Sequence, residues 1–389
     1  MERTSAPPGP SLLRPLSIVI VIVLVTGCSG SGDSGGGGTA PSRASMLEGV
    51  RSWGYQLQGY ESGGLDAIHE AGFGLMVVGY SSDGSEAAEF TAEQVAYMKN
   101  SGDPGRSKLV LAYMSIGEAE TWRFYFDPAW VTEHPDGSYT VNRPPAPDFL
   151  CDPNPAWPGA FKVRYWDPNW QRIIISNPGA HPIIGDRKSY LDRIIDAGFD
   201  GVYLDIVDAF QYFGPTEIGG NDERRSAACD MVTLVAAIAQ HARAVRGKSS
   251  FLVVPQNGST ILDEANYPAD TLPQGTTPGA FALKQGLIYL NAMDAIGAES
   301  TFYFGDRENN NRLDVQTTAL AALRSFRASG KPVLAVDYLS PSKPNPDGLP
   351  FPDTVDDFYQ RCQAERFIPY ATVRMLDTLT INPTQPPAR

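Results

Sequence analysis

The sequence predicts an α/β protein, a single (β/α)8 TIM barrel, on three observations. From residue 53 onward short apolar runs alternate with stretches of helical period, as βα units around a parallel sheet require. There are eight such runs in roughly 335 residues, the strand count and length of a barrel; an open doubly wound sheet is the alternative. Twice a helical stretch closes on Ala-Gly-Phe before a strand, at "EAGFGLMVV" and "DAGFDGVYL", where a glycine suits a left-handed helix cap.

Taken in order, the chain opens on Arg3 and Arg14 before the run "LSIVIVIVLV", which is short for a membrane span and suits the apolar region of an export signal over residues 1–27. Thr26 and Gly27 directly before Cys28 resemble a bacterial lipoprotein box, in which the cysteine is lipidated and becomes the mature N-terminus. Residues 28–45 then form a Gly/Ser tether with no apolar face to bury, and the folded unit, residues 46–389, begins at Met46. The expected strands are 55–60, 75–80, 108–117, 200–208, 251–257, 295–300, 332–339 and 368–374. Helices are expected at 64–71, 92–100, 187–197, 223–245, 280–293, 312–329 and 353–366. With Cys28 consumed by lipid, Cys151, Cys229 and Cys362 remain, so at most one disulfide forms.

Barrel enzymes place their chemistry at the C-terminal ends of strands. In "AGFDGVYLDIVDAF" Asp200 precedes the strand, at the structural face, Asp205 ends it, and Asp208 stands on the following loop or rim. The same test selects Tyr80 after the second strand, Ser115, Glu118 and Glu120 after the third, and Gln256 and Asn257 after the fifth. It adds Glu299 at the sixth, Asp337 and Tyr338 at the seventh and Arg374 at the eighth. So many polar groups at one end of a barrel favour a polar active site, since buried charges must be paired or hydrogen-bonded.

Paired carboxylates point first to glycoside hydrolysis. His69, His134, His181 and His241 lack ligand spacing, and no cysteine–histidine cluster, phosphate loop, nucleophile elbow or dinucleotide fingerprint occurs, so no metal or cofactor is expected. The loop "GDRENNNRLD" offers oxygens without EF-hand spacing. A net charge of −13 argues against nucleic acid as a partner and is compatible with neutral or cationic polymers. Five of six tryptophans, Trp122, Trp130, Trp157, Trp166 and Trp170, fall in the long segment after the third strand, which reads as a structureless functional loop whose rings, Trp122 and Trp166 among them, stack on sugar.

Six ordered stretches, "WGYQLQGY", "YMSIGEAETWR", "GFDGVYLDIVDAF", "VVPQNG", "IGAESTFY" and "VLAVDYL", together resemble glycoside hydrolase family 114, the endo-α-1,4-polygalactosaminidases, over about residues 50–378. The resemblance implies a TIM barrel, cleavage of α-1,4-linked galactosamine-containing polysaccharide, and a retaining mechanism without metal. It further implies Asp205 as nucleophile and Glu299 as general acid/base. Gln56 with Gln58, Tyr80, Asp208, Gln256, Asn257, Asp337 and Tyr338 fall on positions expected to line the sugar subsite, and Glu118 and Glu120 supply further carboxylates. The expected protein is an exported, lipid-anchored or secreted hydrolase acting as a monomer on an amino-sugar polymer. The alternatives are a surface lipoprotein that binds polysaccharide without cutting it, and a hydrolase of another α-linked glycan.

Overall fold

The computed structural model describes residues 41–60, 64–100, 107–215, 221, 223–268, 272–305, 307–339, 348 and 353–386. The export signal, Cys28 and the tether up to residue 40 lie outside the described residues. Thirteen strands follow in chain order: β1 (Trp53–Gln56), β2 (Leu75–Val78), β3 (Leu109–Ser115), β4 (Glu118–Glu120), β5 (Val131–Glu133), β6 (Tyr139–Val141), β7 (Leu150–Pro153), β8 (Ala160–Val163), β9 (Gly201–Asp205), β10 (Leu252–Pro255), β11 (Ile296–Glu299), β12 (Val333–Tyr338) and β13 (Ile368–Thr372).

All eight expected strands have counterparts, β1, β2, β3 and β9 to β13, although β1 ends at Gln56 and so holds only the first two residues of the run expected at 55–60. They pair in parallel in two runs, β1-β2-β3-β9-β10 and β11-β12-β13. The runs meet at a parallel bridge between Gln256 and Gly297, where the Asn257 N–H donates to the Gly297 carbonyl at 2.9 Å. On the other side the Trp53 indole N–H donates to the Ile368 carbonyl at 2.9 Å and the Leu57 N–H to the Leu376 carbonyl at 2.8 Å. The result is a TIM-barrel-like ring. Nearly every residue of these strands is buried, because the ring interior covers one face and helices cover the other.

The seven expected helices form, at Gly64–Glu70, Ala92–Lys99, Tyr190–Asp196, Ala227–Gln240, Pro278–Ala292, Thr317–Ala328 and Asp353–Glu365. Short ones at Arg43–Leu47, Pro168–Ile174, Ala209–Phe213 and Ile261–Glu264 give too little periodicity to read from sequence. The first lies partly inside the stretch expected as tether: Ser42 caps it and Arg43 pairs with Asp294 at 2.8 Å, anchoring the chain ahead of Met46. Of the two Ala-Gly-Phe stops, Gly198 has the left-handed φ of +85° and Gly72 does not. Among the described residues no helix is long and apolar enough to cross a membrane.

Aromatic rings fill the barrel axis. Trp53 lies 6.0 Å from both Tyr55 and Tyr203 and 5.8 Å from Tyr370, and Tyr55 lies 5.3 Å from Tyr203, all by ring centroids. Room for this layer comes from Gly297, where a Cβ would stand 2.0 Å from the Tyr203 hydroxyl. At the bottom face Asp200 has the structural task expected of it: its carboxylate meets Lys99 at 2.8 Å and accepts the Val110 N–H at 2.9 Å.

The segment between β3 and β9 is not the structureless loop the sequence led us to expect. It carries β4, β8 and β7 as an antiparallel sheet and β5–β6 as a hairpin. Strands of three or four residues are too short to show an alternation above the prolines around them. Trp130 and Trp170 are core residues here, the Trp170 indole donating to the Ile116 carbonyl at 2.9 Å. Cys151, Cys229 and Cys362 are all buried and unpaired, so the disulfide allowed by the count does not form.

Candidate active site

Asp205 and Glu299 end β9 and β11, the strands on either side of β10. At each of the three strand ends the backbone takes a left-handed turn at a residue other than glycine: Ile206 (φ 57°), Asn257 (φ 60°) and Ser300 (φ 50°). For a β-branched residue such as Ile206 this conformation is costly, and such strain persists where surrounding structure enforces it. Here it turns the Ile206 N–H back onto Asp205 Oδ1 at 2.8 Å. Gly117 makes the turn possible from the facing loop, since a Cβ there would stand 2.3 Å from the Ile206 carbonyl oxygen.

Each carboxylate is held by side chains from neighbouring strands. Tyr113, on β3, donates its hydroxyl to Asp205 Oδ2 at 2.6 Å. Asn257 Nδ2 donates to Glu299 Oε2 at 2.8 Å, and Tyr338, on β12, donates to Glu299 Oε1. Tyr55 and Tyr203 lie beneath, within electrostatic reach of both carboxylates. Burial, and then the Glu299 charge, push the Asp205 carboxyl well above its ordinary range, while the Tyr113 and Ile206 hydrogen bonds oppose the shift. Burial and the neighbouring carboxylate thus both favour the neutral form of Asp205.

A second polar group sits on the rim. Pairing of β4 with β8 puts Lys162 opposite Glu118, and the Glu118 carboxylate meets the Lys162 ammonium at 2.5 Å and accepts from Asn154 Nδ2 at 2.9 Å. Asp208, half-buried, lies close enough to feel Lys162, Glu299 and Glu118; burial raises its carboxyl to about 6, Lys162 opposing and the two glutamates adding. The site therefore joins Asp205, Glu299, Asp208, Glu118, Asn257 and Tyr338 of the residues expected from sequence.

Other expected site residues are engaged elsewhere. Asp337 faces away from the carboxylate pair: wholly buried, it accepts the backbone N–H groups of Thr301, Phe302 and Tyr303 at 2.9, 3.1 and 2.8 Å, because strand alternation sends Tyr338, not Asp337, toward Glu299. Burial holds its carboxyl at about 6 against those three donors. Glu120 is buried against Arg123 at 2.5 Å. Tyr80 donates to the Gly84 carbonyl at 3.1 Å and packs on Tyr190. Gln56 turns to the Gln58 carbonyl at 2.9 Å, and Gln58 itself is exposed. Gln256 is buried below, accepting from the Tyr55 hydroxyl at 3.2 Å.

Among the tryptophans, Trp122 and Trp157 are 40% and 44% exposed, while Trp166 packs edge-on against Phe213 under the Arg224 guanidinium. Sequence reasoning missed Tyr113, Tyr55, Tyr203, Lys162 and Asn154. The strand period offered a signal for the first and third, two residues before Ser115 and Asp205 on the same faces; nothing marked Lys162. Among the described residues no group of three or more His, Cys, Asp or Glu side chains is arranged to hold a metal ion.

Comparison with known proteins identifies the family. Residues 38–385 match the family model described as glycoside-hydrolase family GH114. A Methanocaldococcus jannaschii protein of uncharacterised role is 32% identical over 84% of this chain and 77% of its own length; a Thermotoga maritima protein, likewise uncharacterised, is 30% identical over 91% and 87%. Among solved structures, Aspergillus fumigatus Ega3 in complex with galactosamine superposes with a TM-score of 0.50 at 14% identity, covering 90% of this chain and 99% of that one.

Proposed function

The chain belongs to glycoside-hydrolase family GH114 and is a glycoside hydrolase; from that premise we propose that it is a retaining endo-hydrolase of α-1,4-linked galactosamine-containing polysaccharide. The observation that carries the reading is the pair Asp205 and Glu299, each at a strand end and each held by a tyrosine hydroxyl. Ega3, the structural neighbour, holds galactosamine. The half-buried Asp208 carboxyl beside the pair suits a polymer bearing ammonium groups.

In this mechanism ionised Asp205 attacks the anomeric carbon while Glu299 gives its proton to the departing oxygen; Glu299 then takes a proton from the water that releases the glycosyl-enzyme. Attack needs Asp205 ionised and a proton on Glu299. A glycosidic oxygen accepting from Glu299 favours that arrangement, as does positive charge developing beside Asp205. Tyr113 and Ile206 stabilise the Asp205 charge until it is spent. The proposal extends to the N-terminus: export, lipid attachment at Cys28 and display on the outer face of a bacterial membrane, with the enzyme working as a monomer.

The test is product release from partly deacetylated α-1,4-galactosaminogalactan, with the anomer followed by NMR, beside Asp205→Asn and Glu299→Gln. Release of α-anomeric oligosaccharides that collapses in both variants is expected. Binding without cleavage by the parent overturns the enzymatic reading of this polymer, and β-anomeric products overturn retention.

A further inference from the structure

Each carboxylate of the pair leans on a tyrosine, and each tyrosine carries an arginine over its ring. Arg123 Cζ lies 5.9 Å from the centroid of Tyr113, the donor to Asp205. Arg374 Cζ lies 4.4 Å from the centroid of Tyr338, the donor to Glu299. The two arms differ in how closely the arginine is paired. Arg123 is neutralised by Glu120 at 2.5 Å, both side chains being buried.

Arg374 has no such partner among the described residues. Its Nη2 reaches only neutral oxygens, Ser300 Oγ at 3.5 Å and the Gly305 carbonyl at 3.4 Å, and its buried Nε has no hydrogen-bond acceptor. Asp337 offsets part of the charge without forming a salt bridge, its oxygens accepting three backbone N–H groups. A guanidinium over a phenol ring draws electron density from it and makes its O–H a stronger donor. We infer that Arg374 is a positioning residue which, acting through Tyr338, sets the proton affinity of Glu299.

The groups facing Glu299 give this a purpose. Asp205 and Asp208 come from β9 and its following turn, Tyr55 from β1, Tyr203 from β9 and Tyr338 from β12; all are acids or phenols, and the nearby cation Lys162 is held by Glu118. Arg374, behind Tyr338 and without a salt bridge among the described residues, sets a positive charge against these acidic groups. The functional weight of the inference rests on Glu299 as acid/base; its structural content does not.

The test therefore reads Glu299 directly. Glutamate labelled with carbon-13 at the side-chain carboxyl is titrated by NMR in the whole protein, with the signal assigned by Glu299→Gln. Arg374→Gln, which keeps donors for Ser300 and Gly305, should raise the Glu299 midpoint by about half a pH unit to one, and Arg374→Lys should restore it. Arg374→Met serves as a second neutral variant if the first does not fold. In a Tyr338→Phe background the same substitutions should shift the midpoint by less than half as much. An unmoved midpoint in the neutral variants, or an undiminished shift without the Tyr338 hydroxyl, overturns the inference. A midpoint that moves as expected in a protein that cuts no galactosamine polymer overturns the substrate reading and leaves this one standing.

Discussion

Asn257 holds Glu299 at both ends of the residue: its Nδ2 donates to Oε2 at 2.8 Å, and its Oδ1 accepts the Glu299 backbone N–H at 3.0 Å. The left-handed φ of 60° at Asn257 aims that amide across from β10 to β11. Asparagine tolerates this conformation better than most residues, so position 257 joins a backbone requirement to a side-chain one. Asn257→Gly should keep the backbone and lose the grip, lowering kcat about 100-fold with little loss of thermal stability. Asn257→Ala should lose both, so its melting temperature should fall as well. Equal melting temperatures for the two would show that the strain costs nothing.

Asp337→Asn is expected to act at a distance. An amide presents one oxygen and one NH2 to three backbone donors, so at least one of Thr301, Phe302 and Tyr303 loses its acceptor in a buried place, at a cost of about 1–3 kcal/mol. That turn leaves directly from Glu299 and Ser300. Thermal unfolding should shift down by several degrees and activity should fall with it; wild-type stability in Asp337→Asn would contradict the role given to the carboxylate.

Asp208 predicts a pH dependence whose sign follows from its raised carboxyl. Its folded value, about 6 against 3.8 for the ordinary group, means that the native state binds the proton more tightly than the unfolded chain. Its contribution is complete at pH below 3.8 and is lost as pH rises toward 6 and above. Asp208→Asn should therefore raise the melting temperature at pH 8 relative to the parent and change it little at pH 3.5. Parallel melting curves across that range would show that the charge is fully solvated.

The strand ends were legible because an acid closing an apolar run is costly in any other place; that argument alone separated Asp205 from Asp200. The same signal misled at Asp337. Either of two adjacent polar residues can face inward, and only the register of β12 against β11 decides between them. Lys162 was invisible for a different reason: its partner Glu118 lies 44 residues away across a pairing of two very short strands. No local preference selects the left-handed turn at Ile206, which the loop at Gly117 accommodates.

Lys162 should govern which polymer the rim accepts. Removing its ammonium with Lys162→Gln leaves Glu118 and Asp208 uncompensated, making the rim more acidic by one charge. We expect KM to fall for fully deacetylated substrate at low salt and to rise or stay level for acetylated substrate, with the difference shrinking as ionic strength screens it. A KM that responds equally for both polymers would place Lys162 outside substrate contact.

The tryptophans divide into two classes with opposite expected phenotypes. Trp130 and Trp170 are buried, and truncating either to alanine should cost about 3–5 kcal/mol of stability while leaving the KM of whatever folds unchanged. Trp122 is held otherwise: its ring lies against Gly84 and Gly159, whose φ values of +87° and +89° and missing side chains let it lie close, and it remains 40% exposed. A broad, open aromatic face set on two glycines is suited to a sugar ring, so Trp122→Ala should barely move the melting temperature. It should lower kcat/KM on long polymer about 10-fold, as expected for loss of roughly 1.4 kcal/mol of contact, and spare short oligosaccharides that do not reach it. An equal loss on long and short substrates would put Trp122 beside the cleavage point; no loss on either would leave it a surface residue.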